Sequence, residues 1–361
     1  MIKKITLENF LSFRVPTTIS LNPGVNILLG INGSGKSNFL NSIRLLYESV
    51  IGDGLENFIN KNGGLESLKN FNAEKKDDIK LSFEFDKEVI KKATQQKGYE
   101  FRINPIYDIT IKSDITSYYL QEDLHYTNTV SFMQKTIYLC QLLFKQTESV
   151  LRQILEHENN YSLAILKRAL AGLSAYYCYD TTYNSPVRHP AVDSTEKKLL
   201  SDGQNLANIL NNIKNNHSLH YEKIEEAMKK INPYFKGVDF SLFEHISDGT
   251  LRYLLLLSIL YNPERGSLVC IDEPETGLHP DMINTISEAI KYASGTSQII
   301  ITTHSPLLLN SFDIEDILIF EKNELNQTIV SSKSSDECEE WVGDILPGQA
   351  WLQGLIGGKR W

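Results

Sequence analysis

The residues best suited to chemistry fall in two stretches far apart along the chain. Gly30-Ile-Asn-Gly-Ser-Gly-Lys36-Ser37 has the glycine spacing of a phosphate-binding loop. It follows Gly24-Val-Asn-Ile-Leu-Leu29, an apolar run that reads as a buried strand. It leads into Asn38-Phe-Leu-Asn-Ser-Ile-Arg-Leu-Leu-Tyr47, which reads as an amphipathic helix. Gly30, Gly33 and Gly35 let the backbone N–H groups of the loop, through Asn32, Ser34 and Asn38, turn inward around phosphate oxygens. The helix N-terminus adds positive potential there. Lys36 would reach the β- and γ-phosphates of ATP, and the Ser37 hydroxyl would ligate Mg²⁺. A glycine-rich turn that binds nothing is the plainer alternative, and the strand and helix on its two sides argue against it.

The second stretch begins at Ser267-Leu-Val-Cys-Ile271, an apolar run ending in Asp272-Glu273-Pro274. An acid at the exit of a buried strand has a charge to place and no apolar reason to be there. Asp272 then reads as a Mg²⁺ partner and Glu273 as the general base that polarises the attacking water. Alone, the same residues also suit a solvated turn. Ile299-Ile-Ile-Thr-Thr-His304 is another buried strand ending in a histidine, placed where it would sense a γ-phosphate. Ser247-Asp-Gly249-Thr opens the apolar helix Leu251–Leu260, so Ser247 and Gly249 mark a second phosphate-binding helix N-terminus.

Taken together, these motifs resemble the ABC-type ATPases of the RecF, SMC and OLD branch. More narrowly, the chain is similar to short stand-alone RecF-like AAA family ATPases found beside bacterial defence and toxin genes. The opening Ile2–Phe13, the middle pattern of Arg188 with Leu199–Ala207, and the ending Trp351–Trp361 carry the rest of the resemblance. It implies an α/β fold: an ABC-type P-loop ATPase head with an antiparallel β-subdomain and a helical lid or short arm insertion. It also implies a homodimer closing around composite ATP sites, with Ser247 and Gly249 completing the site of the opposite subunit. Relatives in the OLD branch carry a Toprim nuclease after the same head. Only about 45 residues follow Asp313-Ile-Glu-Asp316, too few for such a domain, so these acids read as a solvated lead-in to the next strand.

The chain departs from the family pattern at three places. Asp248 stands where the signature usually has glycine, which sets an acid beside an anionic ligand. His279 stands at the D-loop position. No glutamine reads as the Q-loop; Gly63-Gly64-Leu-Glu-Ser-Leu68 lies in the right region but equally suits an ordinary turn.

Stepping from motifs to the elements that hold them, residues 1–129 read as the N-terminal half of the head. Strands are expected near Ile2–Asn9, Thr18–Leu21, Val25–Leu29, Asp78–Phe85, Phe101–Lys112 and Ser117–Leu120. Residues 130–235 read as the helical insertion, with helical spacing over Phe132–Leu155, Ser162–Leu173, Leu199–Ile213 and Ile224–Ile231 and a strand at Ala175–Tyr179, followed by a loop to Pro190. The segment is too short and interrupted for a coiled-coil arm. Residues 236–361 read as the C-terminal half of the head, with the signature, the Asp272-Glu273 motif (Walker B) and His304. His217 and His220 lie in an Asn-rich helix–loop junction without carboxylates at ligand spacing.

Composition narrows the classes. The 361 residues are 41% hydrophobic and 22% charged, ordinary for a globular protein, and no apolar run approaches a membrane span. Cys140, Cys178, Cys270 and Cys338 show no metal or disulfide spacing and read as reduced thiols in a cytoplasmic protein. The formal charge of −9 argues against broad nucleic-acid coating, while a local DNA-binding groove stays open. The lysine pairs, such as Lys91-Lys92 and Lys229-Lys230, adjoin acids and read as solvated faces. The expectation is a Mg²⁺-dependent ATPase acting on a separately encoded effector in defence against phage or foreign DNA. A RecF-like repair role and a nucleotide-gated scaffold are the alternatives.

Overall fold

A computed structural model describes residues 1–94, 101–113, 118–130, 133–154, 161–176, 179–189, 194–235, 237, 243, 246–338 and 345–358. Cys178, Pro190 and the last three residues lie outside this set, as does the side chain of Cys140. Period-two alternation builds one sheet and continuous apolar runs build most of the other, as strand geometry requires for a half-covered and a fully covered sheet.

The first sheet is antiparallel throughout, in the order β2-β1-β4-β5-β6-β7. Its strands are β1 (Ile2–Glu8), β2 (Thr17–Ser20), β4 (Ile79–Phe85), β5 (Ile106–Ser113), β6 (Tyr118–Val130) and β7 (Met133–Gln146). In β4 the alternation is plain: Ile79, Leu81, Phe83 and Phe85 are buried, and Lys80 between them is exposed. This is the antiparallel β-subdomain that the sequence leads one to expect.

Of the helical spacing over Phe132–Leu155, whose two end residues lie outside the described set, only the short helix Val150–Gln153 is realised. Met133–Gln146 is strand β7, paired along β6 from Val130↔Met133 to Leu120↔Gln146. The run Thr-Ile-Tyr-Leu-Cys-Gln-Leu-Leu-Phe is dense in strand formers, and its apolar residues are close enough together to satisfy either period. The neighbouring strand β6, paired along nearly the whole length of β7, decides the matter, which no local pattern can report. The expected strand at Ala175–Tyr179 is β8 (Leu173–Tyr176).

The chain divides into two compact units that interleave in sequence. One comprises Met1–Pro23, Asn32–Leu173 and Phe320–Ser331; the other Gly24–Ile31, Ser174–Ile319 and Ser332–Trp361. The first unit holds the antiparallel sheet and, among the described residues, the helices α1 (Lys36–Val50), α2 (Leu55–Lys61), α3 (Leu65–Leu68), α4 (Lys87–Thr94), α5 (Val150–Gln153) and α6 (Tyr161–Leu170). Helix α1 buries Phe39, Leu40, Ile43, Leu46 and Val50 along one face, the stripe of an amphipathic helix, and packs on α2, α5 and α6.

The second unit is organised around β3 (Val25–Leu29), all five of whose residues are buried. It pairs in parallel with β10 (Gln298–Thr303) on one side and β11 (Ile317–Lys322) on the other, and β10 pairs in parallel with β9 (Leu268–Ile271). β12 (Thr328–Ser332) and the end of β11 fall almost wholly in the stretch of chain counted with the first unit, and the strand order of this sheet is β12-β11-β3-β10-β9-β8. The helices are α7 (Leu206–Asn216), α8 (Ser218–Ile231), α9 (Asp248–Leu260), α10 (Pro280–Ser294), α11 (Pro306–Leu309) and α12 (Pro347–Leu352). Helix α9 is buried almost all round because α7, α8 and α10 each pack on it, which explains its unbroken Leu-Leu-Leu-Leu run. Among the described residues no helix is long and apolar enough to cross a membrane.

Candidate functional site

Three neighbouring parallel strands bring the sequence motifs to one edge of the second unit. Leu29 at the end of β3 lies opposite Thr303 at the end of β10, and Ile271 at the end of β9 lies opposite Ile301. Gly30, His304 and Asp272-Glu273 are therefore the residues at which three adjacent strands leave the sheet. The carboxyl ends of parallel strands are where open α/β sheets bind ligands.

From Gly30 the chain continues through the glycine-rich turn into α1. Gly33 and Gly35 hold positive φ of 78° and 111°, which side chains rarely adopt. At Gly35 a Cβ would collide with the hydroxyls of Thr328 and Ser12. These two form the floor of the turn: Thr328 Oγ1 lies 2.7 Å from Ser12 Oγ and 2.7 Å from the Ser34 carbonyl, and Asn38 Nδ2 donates to Ser12 Oγ at 2.8 Å. Asn38, expected at the loop, thus braces it. The N-terminus of α1 has no side-chain cap. Ser34 Oγ is buried without a hydrogen-bond partner among the described residues, and Lys36 is only 5% exposed. Ser37, Asn32 and Gly33 are exposed.

At the exit of β9, Asp272 and Glu273 are held by Thr302, near the end of β10. Thr302 Oγ1 donates to Asp272 Oδ1 at 2.5 Å and accepts from Glu273 N–H at 2.9 Å. Glu273 has φ 46°, an uncommon value for a residue with a side chain, and such backbone conformations concentrate at functional sites. Its carboxylate accepts from Thr276 Oγ1 at 3.0 Å and lies 3.3 Å from His304 Nε2. Thr303, on the opposite face of β10 from Thr302, donates to Glu275 Oε1 at 2.5 Å, and His304 N–H donates to the same oxygen at 2.8 Å. Burial pushes the Glu275 carboxyl above its ordinary range, and the Glu273 charge adds to that.

The signature segment also belongs to the second unit. Ser247 caps α9, its Oγ accepting from Thr250 N–H at 3.3 Å. Asp248 does not stand bare: Arg188 Nη2 donates to its Oδ1 at 2.5 Å. The same buried guanidinium also binds the carbonyls of Thr181, Phe243 and Ile246 at 2.7–2.8 Å. The expected clash between this acid and an anion is thus answered by a cation of the chain itself. A Cβ at Gly249 would sit 2.9 Å from the Gly277 carbonyl, so the signature turn packs directly on the turn after Walker B. Arg252 Nη1 donates to Thr276 O at 3.2 Å across the same contact. His279, at the D-loop position, is the N-cap of α10, its Nδ1 accepting from Asp281 N–H at 3.3 Å.

Sequence reasoning missed Thr302, Thr303, Glu275 and Arg252. A signal existed for the threonines: two hydroxyls close β10 directly after three isoleucines. Gly63–Leu68 holds the short helix α3, His217 caps α8, and Asp313 precedes a single 3-10 turn at Ile314–Asp316. Among the described residues no group of three His, Cys, Asp or Glu side chains could hold a metal ion.

This arrangement, a parallel sheet with an antiparallel companion sheet and the phosphate loop leaving the central strand, defines an ABC-type P-loop ATPase head. Solved structures with the same fold include an Smc head bound to the C-terminal winged-helix domain of ScpA, at TM-score 0.59 and 15% identity, covering 93% of this chain and 99% of that one. Another is an Smc head with an extended coiled coil bound to the C-terminal domain of ScpA derived from Pyrococcus furiosus, at TM-score 0.56 and 12% identity, covering 94% and 98%. The chain belongs to the AAA ATPase domain family, whose pattern matches residues 1–248, more than half of its length. Residues 195–310 match a second family, described as AAA domain, putative AbiEii toxin, Type IV TA system. Curated relatives are similar over shorter stretches. They include a retron Vc95 probable ATPase of Vibrio cholerae serotype O1 biovar El Tor, 32% identical over 96 residues, which are 26% of this chain and 19% of that protein. An ABC transporter A family member 12 of Arabidopsis thaliana is 35% identical over 85 residues, 23% of this chain and 9% of that protein. The chromosome partition protein Smc of Mycobacterium tuberculosis (strain ATCC 25618 / H37Rv) is 45% identical over 42 residues, 12% of this chain and 4% of that protein. The chain therefore spans at most about a fifth of the length of these relatives. The resemblance to SMC-like ATPases thus holds in the fold, and the match to the AAA ATPase domain family agrees with it.

Proposed function

We propose that the protein binds and hydrolyses ATP, closes as a homodimer around it, and uses that cycle to control a separately encoded effector. The observation that carries this reading is the delivery of Gly30, Asp272-Glu273 and His304 to the same edge of one parallel sheet. Gly33, Ser34 and Gly35 present backbone donors to phosphate oxygens, and Lys36 supplies the cation for the β- and γ-phosphates. Glu273 orients the attacking water and takes its proton. His304, 3.3 Å from Glu273, is the partner that responds when the γ-phosphate is present or gone. Ser247 and Gly249, at the N-terminus of α9, meet the phosphates of the opposite subunit.

The hydroxyl of Ser37 and the carboxylate of Asp272 are hard oxygen donors, the set that suits Mg²⁺. Thr302 engages one oxygen of that carboxylate and so fixes its direction. When bound, Mg²⁺ neutralises charge on the phosphate oxygens.

The effector assignment draws support from the retron ATPase relative and from the toxin–antitoxin wording of the second family match. The effector, a Toprim-like nuclease, docks on the head or on residues 130–235, in cytoplasmic defence against phage or foreign DNA. Phosphate release from Mg-ATP by the purified protein tests the enzymatic part, with Glu273→Gln as the control. Release by that variant at the wild-type rate overturns the assignment of the base. Co-expression with the product of the adjacent gene, followed by size exclusion, tests the effector. DNA-stimulated turnover with a steep salt dependence, without capture of the neighbour, moves the reading to repair.

A further inference from the structure

Glu275 is a glutamate that the hydrolytic reading leaves without a task, although it is more enclosed than Glu273. Its Oε1 accepts two hydrogen bonds, from Thr303 Oγ1 at 2.5 Å and from the His304 backbone N–H at 2.8 Å. Its Oε2 is buried with no hydrogen-bond partner among the described residues. Thr303 Oγ1 in turn accepts from Ser305 N–H at 3.0 Å, so one carboxylate organises the backbone on both sides of His304. On the other side, the imidazole Nε2 meets Glu273 Oε1 at 3.3 Å. The two glutamates flank Pro274, whose ring fixes φ, and Glu273 itself is held at φ 46°. A stiff turn therefore aims one carboxylate at the histidine ring and the other at the histidine backbone.

We propose that Glu275 is a positioning residue. It fixes the exit of β10 so that the His304 ring stays registered on Glu273, and it exchanges no proton with substrate. The kinetic arm of this inference rests on the hydrolytic reading above; the spectroscopic arm does not. An acid that only accepts hydrogen bonds through one oxygen is replaced by glutamine without loss, because the amide keeps that oxygen. A short side chain leaves the Thr303 hydroxyl and the His304 N–H unpaired and lets the ring drift. Misplacement of a catalytic group by about 1 Å costs on the order of 100-fold in rate.

The experiment compares Glu275→Gln and Glu275→Ala. In Mg-ATP hydrolysis, Glu275→Ala lowers kcat about 100-fold with KM little changed, and Glu275→Gln restores kcat to within about threefold of wild type. In nucleotide-free protein labelled with ¹⁵N-histidine, the His304 ring signal, assigned by its loss in His304→Asn, moves in Glu275→Ala and overlays wild type in Glu275→Gln. If Glu275→Ala fails to fold, Thr303→Val removes only the hydroxyl link and displaces the same signal. A ring signal unmoved in whichever of these two variants folds overturns the proposal. So does a Glu275→Gln protein as slow as Glu275→Ala, which would make the acid a proton carrier. Wild-type protein that hydrolyses no ATP overturns the hydrolytic reading, and the ring signal then decides Glu275 by itself.

Discussion

Lys36 sits at the start of α1 with only 5% of its surface exposed, and in the proposed function its ammonium is the side-chain cation that meets the phosphates. Lys36→Ala is expected to weaken ATP binding about 10- to 100-fold, the value of a lost charge-assisted hydrogen bond, as measured by calorimetric titration. Glu273→Gln preserves shape and removes the proposed base. It is expected to bind ATP as wild type and to hydrolyse it at least about 100-fold more slowly in a phosphate-release assay. Both substitutions were legible from the motifs. The hydroxyl that aims Asp272 and Glu273 was not: Thr302 is 30 residues from Asp272 in sequence, and only the parallel pairing of β9 with β10 makes them neighbours.

At the scale of elements, the start of α9 depends on Arg188, 60 residues earlier in sequence. Arg188→Met leaves the carbonyls of Thr181, Phe243 and Ile246 without that donor in a buried setting. A loss of about 3 kcal/mol in urea denaturation is expected, whereas Asp248→Asn, whose side chain is largely exposed, costs less than about 1 kcal/mol. In the antiparallel sheet, Glu122 on β6 is buried and accepts from Tyr107, from Ser149 at 2.6 Å and from Val150 N–H at 2.7 Å. Burial pushes its carboxyl above the ordinary 4.5, and those hydrogen bonds only partly oppose the shift. A carboxyl raised in the folded state binds protons more tightly there than in the unfolded chain. Its contribution is therefore full below about pH 4.5 and is lost as pH rises through the higher folded value. Glu122→Gln cannot titrate, so the stability advantage of wild type over this variant is expected to shrink with rising pH across that window. Denaturation at a series of pH values measures it, and an advantage independent of pH refutes the assignment.

At the scale of the molecule, the signature residues Ser247 and Gly249 open a helix whose turn packs on Gly277 within the same unit. In the proposed cycle they serve the nucleotide of a second copy. Sedimentation of Glu273→Gln protein is expected to show a monomer without nucleotide and a dimer with Mg-ATP. A monomer in both conditions removes the composite site from the proposal, and a dimer in both would assign the association to contacts other than nucleotide.

The sequence by itself determined the glycine-rich turn, its flanking strand and helix, the Asp272-Glu273 turn and the His304 strand. Each is a local pattern: β3 is Val25–Leu29 in both readings, and helix α9 runs Asp248–Leu260 around the expected Leu251–Leu260. Local patterns are legible because glycine, proline and apolar spacing act over a few residues. Only the tertiary structure decided that Met133–Gln146 is a strand, since pairing with β6 outweighs an ambiguous period. It alone decided that Asp248 is answered by Arg188, that His279 caps α10, and that Glu275 reaches the backbone of His304. These are single contacts between groups tens of residues apart, set by which strands and helices lie side by side, and a chain read along its length carries no record of its neighbours.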